Sequence, residues 1–135
     1  MERTYIMLKP DCMTRGLTGE IISRIERRGY RITNAKFVWF DEKLCEEHYA
    51  HCVGKPWYAP TLEYMTSGPS LAMIVEGENV IKGMRLLMGP TKFGEAQPGT
   101  IRGDYATSNA RNLIHGSDSP EAAEIEIKRF FGENA

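Results

Sequence analysis

The sequence has few cysteines, no long apolar run and almost no net charge. Its 135 residues include three cysteines, Cys12, Cys45 and Cys52. Such a sparse, odd set is typical of a reducing compartment and disfavours structural disulfides. The longest apolar run, residues 71–75, is far too short to cross a membrane, and the N-terminus lacks the apolar stretch of a signal peptide. A soluble cytoplasmic protein is therefore expected.

An excess of either charge is also missing. The chain has 17 Lys and Arg residues against 18 Asp and Glu, a net charge of -1, and a pI near 6.3. This balance provides no bulk attraction to nucleic acid or to anionic lipid. Any anion that the protein binds must then be held locally, by a few placed side chains.

The commonest nucleotide-binding and hydrolase motifs are absent as well. The Gly54-Lys55 pair is followed by Pro56 and so does not form a Walker A loop. Patterns of the GxGxxG, HExxH and GxSxG types do not occur. If the protein binds nucleotides, it does so without the usual phosphate-binding loops.

What the chain does have is an alternation of strand and helix patterns. Short apolar or alternating runs predict strands at residues 5–8, 30–40 and 71–75. Amphipathic spacing predicts helices near residues 58–65 and 79–88, and others capped by Thr18, Asp41 and Ser119. The order β-α-β-(αα)-β-α-loop-β-α predicts a single α+β domain over residues 1–135. We expect a ferredoxin-like αβ sandwich, with helices covering one side of a small antiparallel sheet.

Residues 90–113 interrupt this alternation. The stretch holds three glycines and two prolines and shows no helical or sustained strand period. Structureless loops of that length are uncommon inside compact domains unless they bind something. A ligand site is therefore expected beside this long loop.

His115 is the leading candidate for catalysis, because imidazole is a nucleophile and a base near neutral pH. It follows an apolar pair and precedes the small polar residues 116–119. A glutamate of the next predicted helix, Glu124 or Glu126, could accept a hydrogen bond from the ring and fix its tautomer. The alternatives are a structural histidine at an element junction and two ordinary helix acids.

Cationic and hydroxyl side chains elsewhere could converge on His115. Guanidinium forks and lysine amines bind phosphate, so together they would form a cradle for a polyphosphate. The alternative is that each is a solvated surface residue. The set comprises Lys9, Lys82, Arg85, Thr91, Arg102 and Arg111.

One aromatic residue is a candidate for contact with a nucleobase. Trp57 follows Pro56 at a predicted loop-to-helix corner, where its ring could serve as a stacking platform. Tyr58 has core spacing with Leu62 and Met65, so packing is expected for it instead.

A competing pattern involves soft metal ligands. On a helix, Cys45, His48 and Cys52 would lie at i, i+3 and i+7, and such ligands can hold zinc. The same spacing equally makes both cysteines small core residues. Because zinc sites usually draw on two separated segments and no distant Cys-x-x-Cys partner exists, the core interpretation is favoured.

The segment from Asn112 to Ser119, NLIHGSDS, resembles the signature of nucleoside diphosphate kinases. The similarity extends over residues 3–11 and 99–104 and covers essentially the whole chain. The resemblance implies a ferredoxin-like fold with a long nucleotide-binding loop. It also implies ping-pong transfer of the γ-phosphoryl group from a nucleoside triphosphate, typically ATP, to a nucleoside diphosphate.

The resemblance further implies roles for particular residues. His115 would become phosphohistidine, supported by Ser117 and Glu126, with Lys9 and Tyr49 also catalytic. Mg²⁺ would be the cofactor, carried by the nucleotide phosphates rather than by protein ligands, and the chain would form a homo-oligomer, with a hexamer favoured over a tetramer. Phosphate contacts would come from Lys9, Tyr49, Arg85, Thr91 and Arg102, sugar contacts from Asn112 and Lys9, and base stacking from Trp57.

Three positions depart from the family pattern. Cys12 replaces a residue that is usually Gly or Ala, and Trp57 is larger than the more usual Phe. Phe93 replaces the proline of a Thr-Asn-Pro loop, which bears on the stiffness of that loop and on subunit contacts.

Two rival functions remain to be weighed. Ferredoxin-like sheets often carry RNA on exposed aromatic residues, but this chain lacks an RNP1 segment and a basic pI, which disfavours nucleic-acid binding. A catalytically silent structural subunit is favoured only if the cationic cradle fails to assemble.

Overall fold

A four-stranded antiparallel sheet forms the centre of the molecule. In the computed structural model, the backbone of residues 1–135 and every side chain except that of Phe93 are described. The strand order is β2-β3-β1-β4, so that β1 lies between β3 and the short β4. The strands are β1 (Glu2–Leu8), β2 (Arg31–Val38), β3 (Ser70–Gly77) and β4 (Ile114–Gly116).

Seven α-helices and two short 3-10 turns accompany the sheet in the described chain. Within that part of the chain the helices are all too short or too polar to cross a membrane. The 3-10 turns are Ala50–Cys52 and Phe93–Glu95. The helices are α1 (Pro10–Thr14), α2 (Thr18–Arg27), α3 (Glu42–His48), α4 (Tyr58–Met65), α5 (Val80–Met88), α6 (Ile101–Tyr105) and α7 (Pro120–Phe131).

Helices cover both faces of the sheet, so the expectation of a one-sided cover is wrong. Successive residues of β1 point to opposite faces. Ile6 and Leu8 pack with residues of α2 and α5, whereas Tyr5 and Met7 pack with residues of α3, α4 and α7. The physical reason is the unbroken apolar run of β1, which leaves no face of this strand suited to water.

Two of the predicted caps are confirmed and one is wrong. The Asp41 carboxylate accepts a hydrogen bond from the Leu44 N–H at 2.8 Å, and the Ser119 hydroxyl accepts one from Ala122 N–H at 3.1 Å. Thr18 instead lies inside α2, whose N-cap residue is Leu17 without a side-chain cap. Its hydroxyl lies 3.2 Å from the Met13 sulfur.

Two short helices lie outside the predicted elements. Pro10, which follows the predicted strand of residues 5–8, is the first residue of α1, a position that suits its fixed φ and missing N–H. In the long loop, α6 begins after Thr100, whose hydroxyl accepts a hydrogen bond from Gly103 N–H at 2.9 Å. Both helices have five residues, too few to show an apolar period.

The edge strand β2 is largely uncovered. Alternation along residues 30–40 predicts one solvated face, yet most β2 residues are exposed on both faces. Phe37 is 64% exposed and the neighbouring Trp39 is 70% exposed. A long edge strand with exposed aromatic residues is available for pairing with another chain.

Candidate active site

His115 lies in β4, opposite Met7 of β1, and lines a cavity of about 580 Å³. Strand β4 is the edge strand that carries His115. Glu126 of α7 and His48 at the end of α3 also line the cavity. The other predicted site residues around this cavity are Lys9, Tyr49, Arg85, Thr91, Arg102, Asn112 and Glu126.

A hydrogen-bonded chain orients the His115 ring. Its Nε2 lies 3.0 Å from Oε1 of Glu126, and the Ser117 hydroxyl donates to the same oxygen at 2.5 Å. An ionised carboxylate only accepts, so the neutral ring carries its proton on Nε2. Nδ1 therefore keeps its lone pair and is the nitrogen available to attack an electrophile.

The choice between two glutamates is decided by helix geometry. Glu124 is about half exposed and pairs with Arg3 at 3.5 Å. Burial raises the pKa of Glu126, but the hydrogen bonds from His115 and Ser117 outweigh it and hold that pKa below its ordinary value. Glu126 is therefore ionised at neutral pH.

Lys9 is buried at the carboxyl end of β1. Its ammonium nitrogen donates to Oδ1 of Asn112 at 2.8 Å, and its backbone N–H donates to the Leu113 carbonyl at 2.8 Å. Burial, assisted by the nearby charge of Arg102, lowers the pKa of Lys9 to about 7, although Asp11 opposes the shift. The amine is thus poised to gain a proton when an anion arrives.

Two arginines provide the remaining cationic surface of the cavity. Arg102 of α6 is buried and donates to the carbonyls of Gly89 and Ile114 at 2.9 and 2.6 Å. Burial and the charge of Arg85 lower the pKa of Arg102 to about 10, so it stays cationic at neutral pH. Arg85 donates to the Gly116 carbonyl at 3.1 Å. Among the described residues, the ion pairs include neither Lys9 nor Arg102.

A second cavity, of about 310 Å³, adjoins the first and contains Trp57. The Trp57 side chain is 55% exposed, whereas Tyr58 packs against the core as predicted. The residues that line both cavities are Lys9, Tyr49, His51, Thr91 and Asn112. The two cavities are thus continuous, with cationic side chains in the first and the exposed Trp57 indole in the second.

Two predicted members of the cationic set lie elsewhere. Lys82 lines a different depression next to Leu86. Arg111 lies over the ring of Tyr64, 5.2 Å from its centroid. Both residues are exposed, as the alternative of a solvated surface residue predicts.

The soft-ligand pattern does not assemble into a metal site. All three cysteines are free and buried, as the core interpretation predicts. In the described part of the chain, the three side chains close enough to share a metal ion are His48, His115 and Glu126, with ligand atoms within 4.8 Å of one another. Nδ1 of His48 contacts Arg129, and Oε1 of Glu126 contacts His115 and Ser117.

Comparison with known proteins assigns the family. The nucleoside diphosphate kinase family model matches residues 2–135. The chain belongs to the nucleoside diphosphate kinase family. It is therefore a phosphotransferase that acts on nucleotides, as the resemblance of the histidine segment predicts.

Relatives of this kinase span nearly its whole length. A nucleoside diphosphate kinase of Archaeoglobus fulgidus is 49% identical over 134 residues, covering 99% of this chain and 89% of the relative. One from Streptomyces coelicolor is 54% identical over 131 residues, covering 96% of each. The identity thus extends well beyond the histidine segment.

Solved structures share the fold of this kinase. The apo enzyme of Encephalitozoon cuniculi superimposes with a TM-score of 0.95 at 42% identity, covering 99% of this chain and 91% of the other. The Halobacterium salinarum enzyme, solved in complex with CDP, gives a TM-score of 0.94 at 45% identity, covering 98% and 89%. The ferredoxin-like α+β prediction is confirmed.

Two residues near His115 were not predicted as site residues from the sequence. His48 was considered only as a zinc ligand, yet its ring lies 4.8 Å from that of His115. Arg129, which also lines the cavity, was not singled out. Helical spacing could have identified Arg129 from the sequence. Arg129 follows Glu126 by three residues and so lies on the same face of α7.

Proposed function

We propose that this kinase transfers the γ-phosphoryl group of a nucleoside triphosphate, typically ATP, to a nucleoside diphosphate through a phosphohistidine on His115. The observation that carries the proposal is the Glu126 contact at Nε2 of His115, inside a cavity lined by Lys9, Arg85 and Arg102. Buried cations without a carboxylate partner favour an anionic ligand. A nucleotide phosphate chain supplies that charge.

In the first half-reaction, Nδ1 of His115 attacks the γ-phosphorus. The bond from that phosphorus to the bridging oxygen breaks as the N–P bond forms, and the nucleoside diphosphate leaves. The proton on Nε2 stays there, held by Glu126, so that the phosphorylated ring is stabilised as a cation. An acceptor diphosphate then enters the same site and the reverse displacement returns the ring to its starting state.

The surrounding side chains would position the substrate and neutralise its charge, which is most of what a loose phosphoryl-transfer transition state requires. We assign the base to Trp57 and the sugar to Asn112 with Lys9. This assignment agrees with the positions of these residues, since Lys9 and Asn112 line both cavities and Trp57 lines the second one. Stacking on an indole depends little on the identity of the base. The phosphates are assigned to Lys9, Tyr49, Arg85, Thr91 and Arg102, and support of His115 to Ser117 and Glu126.

The donor set of the cavity fits a magnesium ion that arrives with the substrate. Its carboxylates are Glu47, Asp118 and Glu126, and Glu126 is already engaged by His115 and Ser117. Mg²⁺ prefers oxygen ligands and commonly binds through substrate phosphates and water. When bound, it neutralises charge on the phosphate oxygens.

Incubation with γ-labelled ATP tests the proposal. We expect a labelled protein whose label survives base, is lost in acid, and passes to GDP added after all free ATP has been removed. Chelation of divalent cations should prevent the labelling. Transfer that occurs only when both nucleotides are present together would contradict the phosphohistidine pathway.

Nucleotide binding is expected to take up protons at pH 8. In the free enzyme the pKa of Lys9 is about 7, so the amine is mostly neutral at pH 8. Bound phosphates favour the ammonium form and raise this pKa, so affinity should fall as pH rises above 7, by at most about tenfold per pH unit. Calorimetry of ADP binding in two buffers of different ionisation enthalpy measures the uptake. Equal uptake by Lys9→Met would assign the proton to another group.

We further propose that residues 1–135 form one domain that assembles as a homo-oligomer in the cytoplasm, with a hexamer favoured over a tetramer. The open edge of β2 and the exposed rings of Phe37 and Trp39 supply a surface for self-association. The free thiols suit a reducing compartment. Light scattering of the purified chain measures the assembly, and a monomer would contradict it.

A further inference from the structure

The ring of His48 is held beside His115 by a cation. Nη1 of Arg129 lies 3.0 Å from Nδ1 of His48. A guanidinium has hydrogens to donate and no lone pair to offer, so Nδ1 accepts and the His48 proton must be on Nε2. Burial, followed by electrostatic interaction with His115 and with the Arg129 cation, lowers the pKa of His48 to about 2. His48 is therefore a neutral acceptor for Arg129.

Packing alone does not account for a histidine at this position. The residue is 7% exposed and its ring makes edge contacts with Tyr49, Phe130 and Phe40, at centroid distances of 4.8, 5.3 and 6.0 Å. Nε2 has no hydrogen-bond partner among the described residues, and an unmade buried hydrogen bond is unfavourable. A phenylalanine would fill this aromatic pocket without that cost. What it could not do is accept a hydrogen bond from Arg129.

Arg129 has a competing partner on its own helix. Glu126 precedes it by three residues in α7, and such residues lie side by side on the helix surface. The charge of Arg129 already contributes to the lowered pKa of Glu126. A guanidinium released from His48 would find this carboxylate within reach, and arginine binds carboxylates through two parallel hydrogen bonds. That pairing would draw Glu126 away from Nε2 of His115.

We propose that His48 is a positioning residue that holds the Arg129 guanidinium away from Glu126 and so keeps that carboxylate on His115. The proposal rests on the proposed function, because it concerns the orientation of the ring that is to be phosphorylated. Small displacements of a reacting group are costly for catalysis. His48 thus acts on the reaction through two other side chains and need not contact the nucleotide.

A double-variant design tests this role. His48→Phe keeps an aromatic ring in the pocket and frees Arg129, while His48→Phe with Arg129→Leu also removes the freed cation. We expect the single variant to form phosphohistidine at least about tenfold more slowly in a single turnover, with the KM for ATP changed by less than about twofold. The double variant should recover to within about threefold of wild type, since nothing then competes for Glu126.

A second measurement is independent of turnover. Long-range ¹H–¹⁵N correlation spectra of the free protein should show the His115 proton on Nε2 in wild type and in the double variant, but a mixture of tautomers in His48→Phe. A wild-type rate in His48→Phe would overturn the proposal, and so would an equally slow double variant. If wild-type protein forms no phosphohistidine, the proposed function fails, while the spectra still decide where the His115 proton lies.

Discussion

His115→Ala is expected to lower kcat for phosphoryl transfer from ATP to GDP by at least about 10⁴-fold. The substitution removes Nδ1, the His115 ring nitrogen that stays free to attack while Glu126 engages Nε2. A coupled assay of GTP formation measures the loss.

His51→Ala is the matched control for this variant. His51 lines the same cavity but lies on a 3-10 turn and is exposed. We expect it to keep kcat within about threefold of wild type, because no proposed step uses it. Activity of His115→Ala above about one tenth of wild type would contradict the assignment of the nucleophile.

Gly103→Ala is expected to lower the free energy of unfolding by about 2–4 kcal/mol and to impair activity. A Cβ at Gly103 would lie 1.9 Å from the carbonyl oxygen of Gln97 and 2.7 Å from the Thr100 hydroxyl. Because the first contact is with backbone, α6 must shift. Arg102, the adjacent residue, would move with it and weaken its hydrogen bonds to Gly89 and Ile114.

Gly19→Ala serves as the control in the opposite direction. A Cβ at Gly19, within α2, meets nothing within 4 Å, so alanine should raise stability by about 0.5–1 kcal/mol through helix propensity. Denaturant unfolding of both variants at one protein concentration gives the comparison, since self-association shifts apparent stability. Equal midpoints for Gly103→Ala and wild type would show that the long loop adjusts without cost.

The predicted elements succeeded where a local signal was strong. Asp41 and Ser119 cap helices as predicted because a capping side chain and the backbone N–H that it accepts from are only three residues apart. The helices α1 and α6 were not predicted because a helix of five residues is too short to show the periodic spacing of apolar residues. The apolar run of β1 fits a strand buried on both faces, and the expectation of helices on only one side of the sheet does not meet that requirement.

The candidate site was predicted as a set of residue types rather than as contacts. The near-zero net charge predicted that any anion would be bound by a few local side chains. His115 and the lysine and arginine candidates were proposed from the residues next to them in the sequence. The choice of Glu126 over Glu124 depended on which side of α7 meets the ring, since both residues belong to the same helix. The contact between His48 and Arg129 joins positions 81 residues apart and left no local pattern to detect.

The sequence by itself determined the order of the strands and the longer helices, the absence of the usual phosphate loops, the irregular stretch before His115 and, through its motifs, the family. These properties depend on neighbouring residues and on backbone periodicity. Only the tertiary structure decided that Lys9 meets Asn112, 103 positions away, and that Arg85, Arg102 and His115 line one cavity. Contacts between distant segments depend on how all the apolar faces pack at once, which no short stretch of sequence specifies.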